Sequence, residues 1–308
     1  MRIRVLALIA VAVAAFSWLL AGCEPAPAPA GPQYAKTTTA DKTYYLAIHP
    51  LYNPRKLAEA YEPLIARLNA EIPGAHFHLE ASRDYHVYEA KFRARQPEFL
   101  LPNPWQTLEA IKVGYVVIAM AGDAEDFKGI LIVRRDSAVN NPRDLIGKTV
   151  SYPSPTALAA AMLPQMYLQE HGVNVLHDLQ NRYVGSQESS ILSVYRGDAD
   201  AGATWPPPWR SFQQSHPTEA SALKVIWETP HLLNNSVMVR DDVPPSIRDK
   251  VRDILIDLRT APGGASILAA SQTAQFHPAT NASYQPVAEF IQRFERTVRP
   301  VESKLENK

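Results

Sequence analysis

The 308-residue chain carries 31 Lys and Arg against 31 Asp and Glu, a formal net charge of zero, and one cysteine. Balanced charge leaves no basic field for nucleic acid, so no nucleic-acid partner is expected. A lone cysteine excludes disulfides within the chain and any metal or redox site built on paired thiolates.

At the start, Arg2 and Arg4 precede an apolar run from Val5 to Leu20 that only Ser17 interrupts. The run is too short to favour a membrane span. It closes on Leu20-Ala21-Gly22-Cys23, which resembles the lipobox of bacterial lipoproteins. The resemblance implies a signal peptide over residues 1–22, acylation of Cys23 and a lipid bilayer as a partner. The competing reading is an ordinary anchor helix with a chance cysteine. Cleavage removes Arg2 and Arg4 and leaves 29 basic against 31 acidic side chains, a net charge near −2. Residues 23–42 then form a tether. Its Glu24-Pro25-Ala26-Pro27-Ala28-Pro29-Ala30 stretch is a semi-rigid spacer that cannot build a core.

From Tyr44 the pattern alternates apolar runs with amphipathic stretches. Tyr44–Ile48, Phe77–Glu80, Glu98–Leu101 and Tyr115–Met120 read as strands. Pro54–Leu68 and Tyr85–Arg93 read as helices, with Asn53 and Pro54 as cap and first helical residue. Gly129–Val133 is a buried-type strand, followed by a polar loop and the strand Thr149–Tyr152. A long helix is expected from about Thr156 to His171, ended by Gly172. Arg182–Val184, Ala201–Thr204, Val225–Trp227 and Ser236–Val239 are further strands. Helices are expected near Ser186–Tyr195, Pro245–Leu258, Ala265–Ser271 and Tyr284–Val298. This rhythm predicts an α/β fold of two lobes, each with a mixed, mainly parallel sheet flanked by helices, and a ligand cleft between them. Lobe 1 spans residues 43–125, completed by about 240–308, and lobe 2 spans 126–239. A single doubly wound domain is the alternative.

Several segments together resemble the phosphate/phosphite/phosphonate-binding proteins of bacterial ABC importers. They are I-H-P-L-Y-N-P-R-K-L from Ile48, N-P-W-Q-T-L from Asn103 and F-K-G-I-L-I-V-R-R-D-S from Phe127. D-L-I-G-K-T-V-S-Y-P-S-P-T-A follows from Asp144, then Y-V-G-S-Q-E-S-S-I-L from Tyr183. D-A-D-A-G-A-T-W from Asp198 and N-N-S-V-M-V-R from Asn234 complete the set. Singly they are weak signals; their order and spacing make them specific. The resemblance implies a type II periplasmic-binding-protein fold and a small oxyanion as ligand.

It also implies that the oxyanion sits at the Ser-Pro-Thr-Ala turn. Ser154 and Thr156 offer hydroxyls there, and the amides of Thr156, Ala157 and Leu158 offer donors at a helix start. Capping of that helix is the plainer role for both hydroxyls. Ser186 and Gln187 begin a second helix, where relatives often carry histidine at the position of Gln187. Asn103, Trp105, His49 and Tyr52 are lobe 1 candidates, with core packing as the alternative for Trp105 and His49. Trp205-Pro206-Pro207-Pro208-Trp209 is read as a stiff loop, standing where aminophosphonate-binding relatives tend to place acidic residues. That departure disfavours an aminoalkyl ligand and leaves Trp205 a candidate wall of the site.

Catalytic signatures such as G-x-S-x-G, H-E-x-x-H, a Walker loop or a dinucleotide fingerprint are missing, so an enzyme is not expected. His76 and His78 share one strand face without a third ligand, and neither a metal nor a cofactor is expected. The chain is expected to be a monomer on the periplasmic face of a membrane, lipid-anchored in the cell envelope. Its partner is an ABC permease or, alternatively, a membrane sensor kinase. A hydrolase is the least favoured reading.

Overall fold

The computed structural model describes residues 42–301. The expected signal peptide, Cys23, nearly all of the expected tether and the last seven residues lie outside the described residues. No helix among the described residues is long and apolar enough to cross a membrane.

The first sheet opens with a run of strand–helix units: β1 (Lys42–Ile48), α1 (Pro54–Glu71), β2 (Ala75–Glu80), α2 (Tyr85–Arg93), β3 (Phe99–Leu101), α3 (Pro104–Lys112) and β4 (Tyr115–Ala121). The chain then crosses to a second sheet. There it forms β5 (Lys128–Arg134), β6 (Thr149–Tyr152), a π turn (Leu158–Met162), α4 (Leu163–Glu170), β7 (Gln180–Tyr183) and α5 (Gln187–Arg196). β8 (Ala201–Thr204), α6 (Pro206–Ser215), α7 (Pro217–Ser221) and β9 (Leu223–His231) complete that lobe. Return to the first sheet brings β10 (Ser236–Arg240), α8 (Pro245–Asp257), α9 (Gly264–Ala270), β11 (Phe276–His277) and α10 (Gln285–Thr297).

Strand order is β11-β4-β10-β3-β1-β2 in the first sheet and β7-β6-β8-β5-β9 in the second. β1 pairs in parallel with β2 and β3, and β6 with β7 and β8. β10 runs antiparallel to both β3 and β4, and β5 to both β8 and β9. The inversion follows from the crossings. A strand arriving from the other lobe enters at the cleft and must run away from it, whereas its neighbours end there. Ser236 lies opposite Met120 of β4, so the return crossing falls at residues 232–235. The sequence-based boundary at 239 had left this strand in lobe 2. A short apolar run carries no mark of the sheet it joins.

Two local expectations change. The helix expected from Thr156 begins at Leu158, and its first turn is π-helical. Pro164 has no N–H to give Ala160, which breaks the regular ladder, and the Met162 amide reaches back to Ala157 O at 3.3 Å. Gly129 permits this turn to lie against β5. A Cβ there would meet Ala159 O at 2.6 Å and Pro164 Cδ at 2.7 Å. The segment from Trp205 to Trp209, expected as a loop, instead starts α6. Pro206, Pro207 and Pro208 occupy its first turn, where N–H groups have no helical partner to lose.

Candidate ligand-binding site

Most strands end at the cleft, so helices that follow them begin there. Most of these helix starts satisfy their own amides. Asn53 Oδ1 accepts from Lys56 N at 3.0 Å, and Asp84 Oδ1 from Val87 N at 2.8 Å. Asn103 Oδ1 accepts from Gln106 N at 3.0 Å, and Ser186 Oγ from Ser189 N at 3.1 Å. α6 has prolines in place of donors. The turn at Leu158 differs from all of these. Its cap position is Ala157, which has no side-chain acceptor, and no side chain bonds the first amides. The N–H groups of Leu158, Ala159 and Ala160 lack helical partners and belong to the residues that line the cleft.

The space in that cleft measures about 200 Å³ and is partly open to solvent. Lobe 1 contributes His49, Tyr85 and Asn103, with Asn235 from the return crossing. Lobe 2 contributes the Ala157–Ala160 turn, Gln187 and Trp205, with Phe127 entering from the first crossing. Trp205 and Phe127 meet with ring centroids 5.4 Å apart and form the apolar wall. Ala157, Leu158, Gln187, Asn103, His49 and Trp205 are thus drawn together around one space.

The polar groups are oriented by a relay. Thr204 Oγ1 donates to Gln187 Oε1 at 2.9 Å, which turns Gln187 Nε2 toward the Tyr85 hydroxyl at 3.2 Å. Tyr85 accepts that bond, so its own proton is not committed to Gln187. Burial pushes the Tyr85 hydroxyl well above the ordinary tyrosine range, so the proton stays on. His49 is 2% exposed, and its Nδ1 lies 2.9 Å from Leu101 O. A carbonyl only accepts, so Nδ1 carries the hydrogen. Loss of solvation lowers the ring's pKa to about 4, against the opposing pull of the Leu101 carbonyl.

Other candidates lie outside this cavity. Ser154 Oγ and Thr156 Oγ1 are 3.0 Å apart, and Thr156 Oγ1 donates to Glu89 Oε1 at 2.6 Å. Both hydroxyl protons are therefore used inside the protein. The Ala157 amide is also engaged, by Ser154 O at 3.2 Å, so the amides available to a ligand start one residue later. Tyr52 and Ser186 border a neighbouring interlobe space of about 320 Å³ with Lys56 and Glu188. Trp105 is buried at the start of α3, its ring 6.0 Å from the Arg93 guanidinium carbon. His76 and His78 are exposed on β2, and no group of three candidate metal ligands occurs among the described residues.

Glu89 was not legible in the sequence. This carboxylate on α2 is 5% exposed and also accepts from Gln106 Nε2 at 3.0 Å. With Asn103 Nδ2 donating to Thr156 O at 3.0 Å, it ties α2 and α3 of lobe 1 to the Ser154–Thr156 turn of lobe 2. From the far side, buried Arg299 donates through Nη2 to Pro155 O at 2.7 Å. The turn that sets up the amide cradle is therefore held by both lobes and by the C-terminal segment.

Two α/β lobes joined by crossing strands and closed over a small polar cavity define a periplasmic-binding-protein clamp of type II. The family model described as "ABC transporter, phosphonate, periplasmic substrate-binding protein" matches residues 46–284, and the chain belongs to that family. The phosphate-import protein PhnD of Mycolicibacterium smegmatis is 24% identical over 270 residues, with 82% of each chain covered. The structure of PhnD1 from Prochlorococcus marinus in complex with methylphosphonate superposes with a TM-score of 0.75 at 17% identity. That match covers 83% of this chain and 99% of the other. The tetrathionate sensor histidine kinase TtrS of Salmonella typhimurium is 23% identical over 178 residues, which are 53% of this chain and 29% of the kinase. The protein is a substrate-binding component of an ABC importer.

Proposed function

We propose that the cavity binds a compact oxyanion of the phosphonate class and hands it to an ABC permease. The observation that carries this reading is the uncapped, amide-bearing start at Leu158, set beside the capped starts at Asn53, Asp84, Asn103 and Ser186 and the proline-blocked start of α6. Three convergent amides at the positive end of a helix hold an anion without a formal counter-charge. Asn103, Tyr85 and Gln187 complete the shell, while Trp205 and Phe127 receive a short apolar substituent. No Asp, Glu, Lys or Arg lines the cavity, which leaves an aminoalkyl group without an ionic partner. Ser154 and Thr156 act one shell back by shaping the turn. Tyr52, Ser186 and Trp105 support closure and packing.

Lobe closure is the transport signal: contacts from both walls favour the closed population when ligand is present. Binding without turnover is the expected behaviour. Acylation at Cys23 and a monomeric state on the periplasmic face of a membrane complete the reading. Calorimetry with methylphosphonate, phosphate and phosphite tests the ligand class; a panel in which none of these binds while a sugar or cation does would overturn it. Labelling with a palmitate analogue, abolished by Cys23→Ser, tests the anchor. The match to part of a sensor kinase favours a second use of the same clamp, as a receptor that reports occupancy to a kinase. Co-purification with a permease or with a kinase separates the two.

A further inference from the structure

We infer that the cavity selects an oxyanion that still carries a proton, and that His49 Nε2 is the acceptor that reads it. The inference rests on the phosphonate-class reading above and narrows it to a protonation state. Donors on residues that line the cavity include the three amides of Leu158–Ala160 and the Tyr85 hydroxyl. Such groups suit the unprotonated oxygens of any tetrahedral anion. His49 is different. With Nδ1 held to Leu101 O at 2.9 Å, Nε2 points away from that carbonyl, and no donor among the described residues reaches it. The ring lines the cavity, so a lone pair is presented to the ligand.

A second unpartnered acceptor lies behind the same wall. Asn235 is 3% exposed, and its Oδ1 is buried without a hydrogen-bond partner. A sulfate or sulfonate has no hydrogen on oxygen to give and would set its own lone pairs against Nε2. A hydrogen phosphonate brings one O–H and resolves the conflict at Nε2. The titratable surroundings do not supply that proton. Tyr85 faces His49 from α2 with ring centroids 6.1 Å apart, its hydroxyl turned to Gln187. Glu89 lies behind the wall on Thr156 Oγ1, and β3 offers only the Leu101 carbonyl. Burial keeps the ring itself neutral near neutral pH.

The test is calorimetry on the detergent-solubilised full chain, with methylphosphonate and its isostere methanesulfonate as probes. Methylphosphonate should bind, and its affinity should fall about tenfold per pH unit above its second ionisation, because one proton is bound with it. Methanesulfonate should bind on the order of a hundredfold more weakly at neutral pH. His49→Phe should flatten the pH slope and shrink the preference, and His49→Gln, which can present Oε1, should restore part of it. Equal affinity of the wild type for both probes, or a flat pH profile with methylphosphonate, would overturn the inference and leave the phosphonate reading standing. Failure of methylphosphonate, phosphate and phosphite alike to bind would instead overturn the reading beneath it. If His49→Phe does not fold, the wild-type pair and the glutamine variant still decide.

Discussion

The two walls of the cleft carry their chemistry in different parts of the chain. Lobe 2 presents mainly backbone, the amides of Leu158, Ala159 and Ala160, with Gln187 and Trp205 as its side chains at the cavity. Lobe 1 presents side chains: His49, Tyr85 and Asn103 at the ends of strands or the starts of helices. A backbone wall tolerates substitution of its side chains and fails when the N–H is removed. A side-chain wall can be edited residue by residue and can titrate. The first supplies general affinity for anions, and the second can discriminate among them.

Acidification should separate the walls most sharply, because His49 is the cavity residue that titrates on the way down from neutral pH. Its folded pKa of about 4 lies below the ordinary histidine value of 6.5. The unfolded chain therefore binds the proton first, and stability is lost as pH falls from about 6.5 to about 4. The full loss is about 3 kcal/mol. Urea unfolding of the wild type and His49→Phe at both ends of this window should show the variant spared that loss. Equal slopes would mean that the imidazole is charged or solvated in the folded protein.

Proline is the corresponding probe for the backbone wall. Leu158→Pro places on this turn the kind of residue that begins α6, and Ala157 is extended at φ −75° and ψ 95°, as a residue before proline should be. Loss of one amide to an anion should weaken methylphosphonate binding by roughly 1.5–3 kcal/mol. Leu158→Val, which keeps the amide and trims the packing, should bind with little change. A similar loss in both variants would return the effect to packing.

Thr156→Val tests the seam between the walls. It leaves the buried Glu89 carboxylate without its 2.6 Å donor from lobe 2, a change that penalises the closed state. Affinity should fall by about 1–3 kcal/mol, whereas unchanged affinity would show that closure does not depend on this bond. The smallest effect is expected at the rim. Lys56 Nζ spans the lobes to Ser211 O and Ser215 Oγ, each at 3.3 Å. A partly solvated contact of this kind is worth less than about 1 kcal/mol, so a larger loss in Lys56→Ala would mark the rim as part of the site.

Much of the fold was legible because strands and helices leave periodic signals. The strands before residue 121 and the helices at Pro54, Tyr85 and Pro245 fall close to their expected positions. Local rules also located the turn at Ser154, since Ser-Pro-Thr ahead of an apolar run reads as a helix start. They could not tell which amides stay free. That depends on Ser154 O taking the Ala157 amide and on Pro164 forcing the π turn. Three successive prolines after Trp205 read as a loop because proline breaks helix interiors, yet the first turn of a helix has no such bond to break.

What the sequence determined by itself is local and periodic: an α/β alternation, a cap at Asn53, an uncharged candidate cradle and a family pattern in fixed order. What only the tertiary structure decided is the pairing of distant groups. Glu89 meets Thr156 across 67 positions, and Gln187 meets Tyr85 across 102. The return of Ser236–Arg240 to the first sheet, and the neutral acceptor at His49, likewise exist only once the crossings are made. Hydrogen bonds and burial depend on distance in space. A chain read in order shows which groups are available and leaves their partners to the fold.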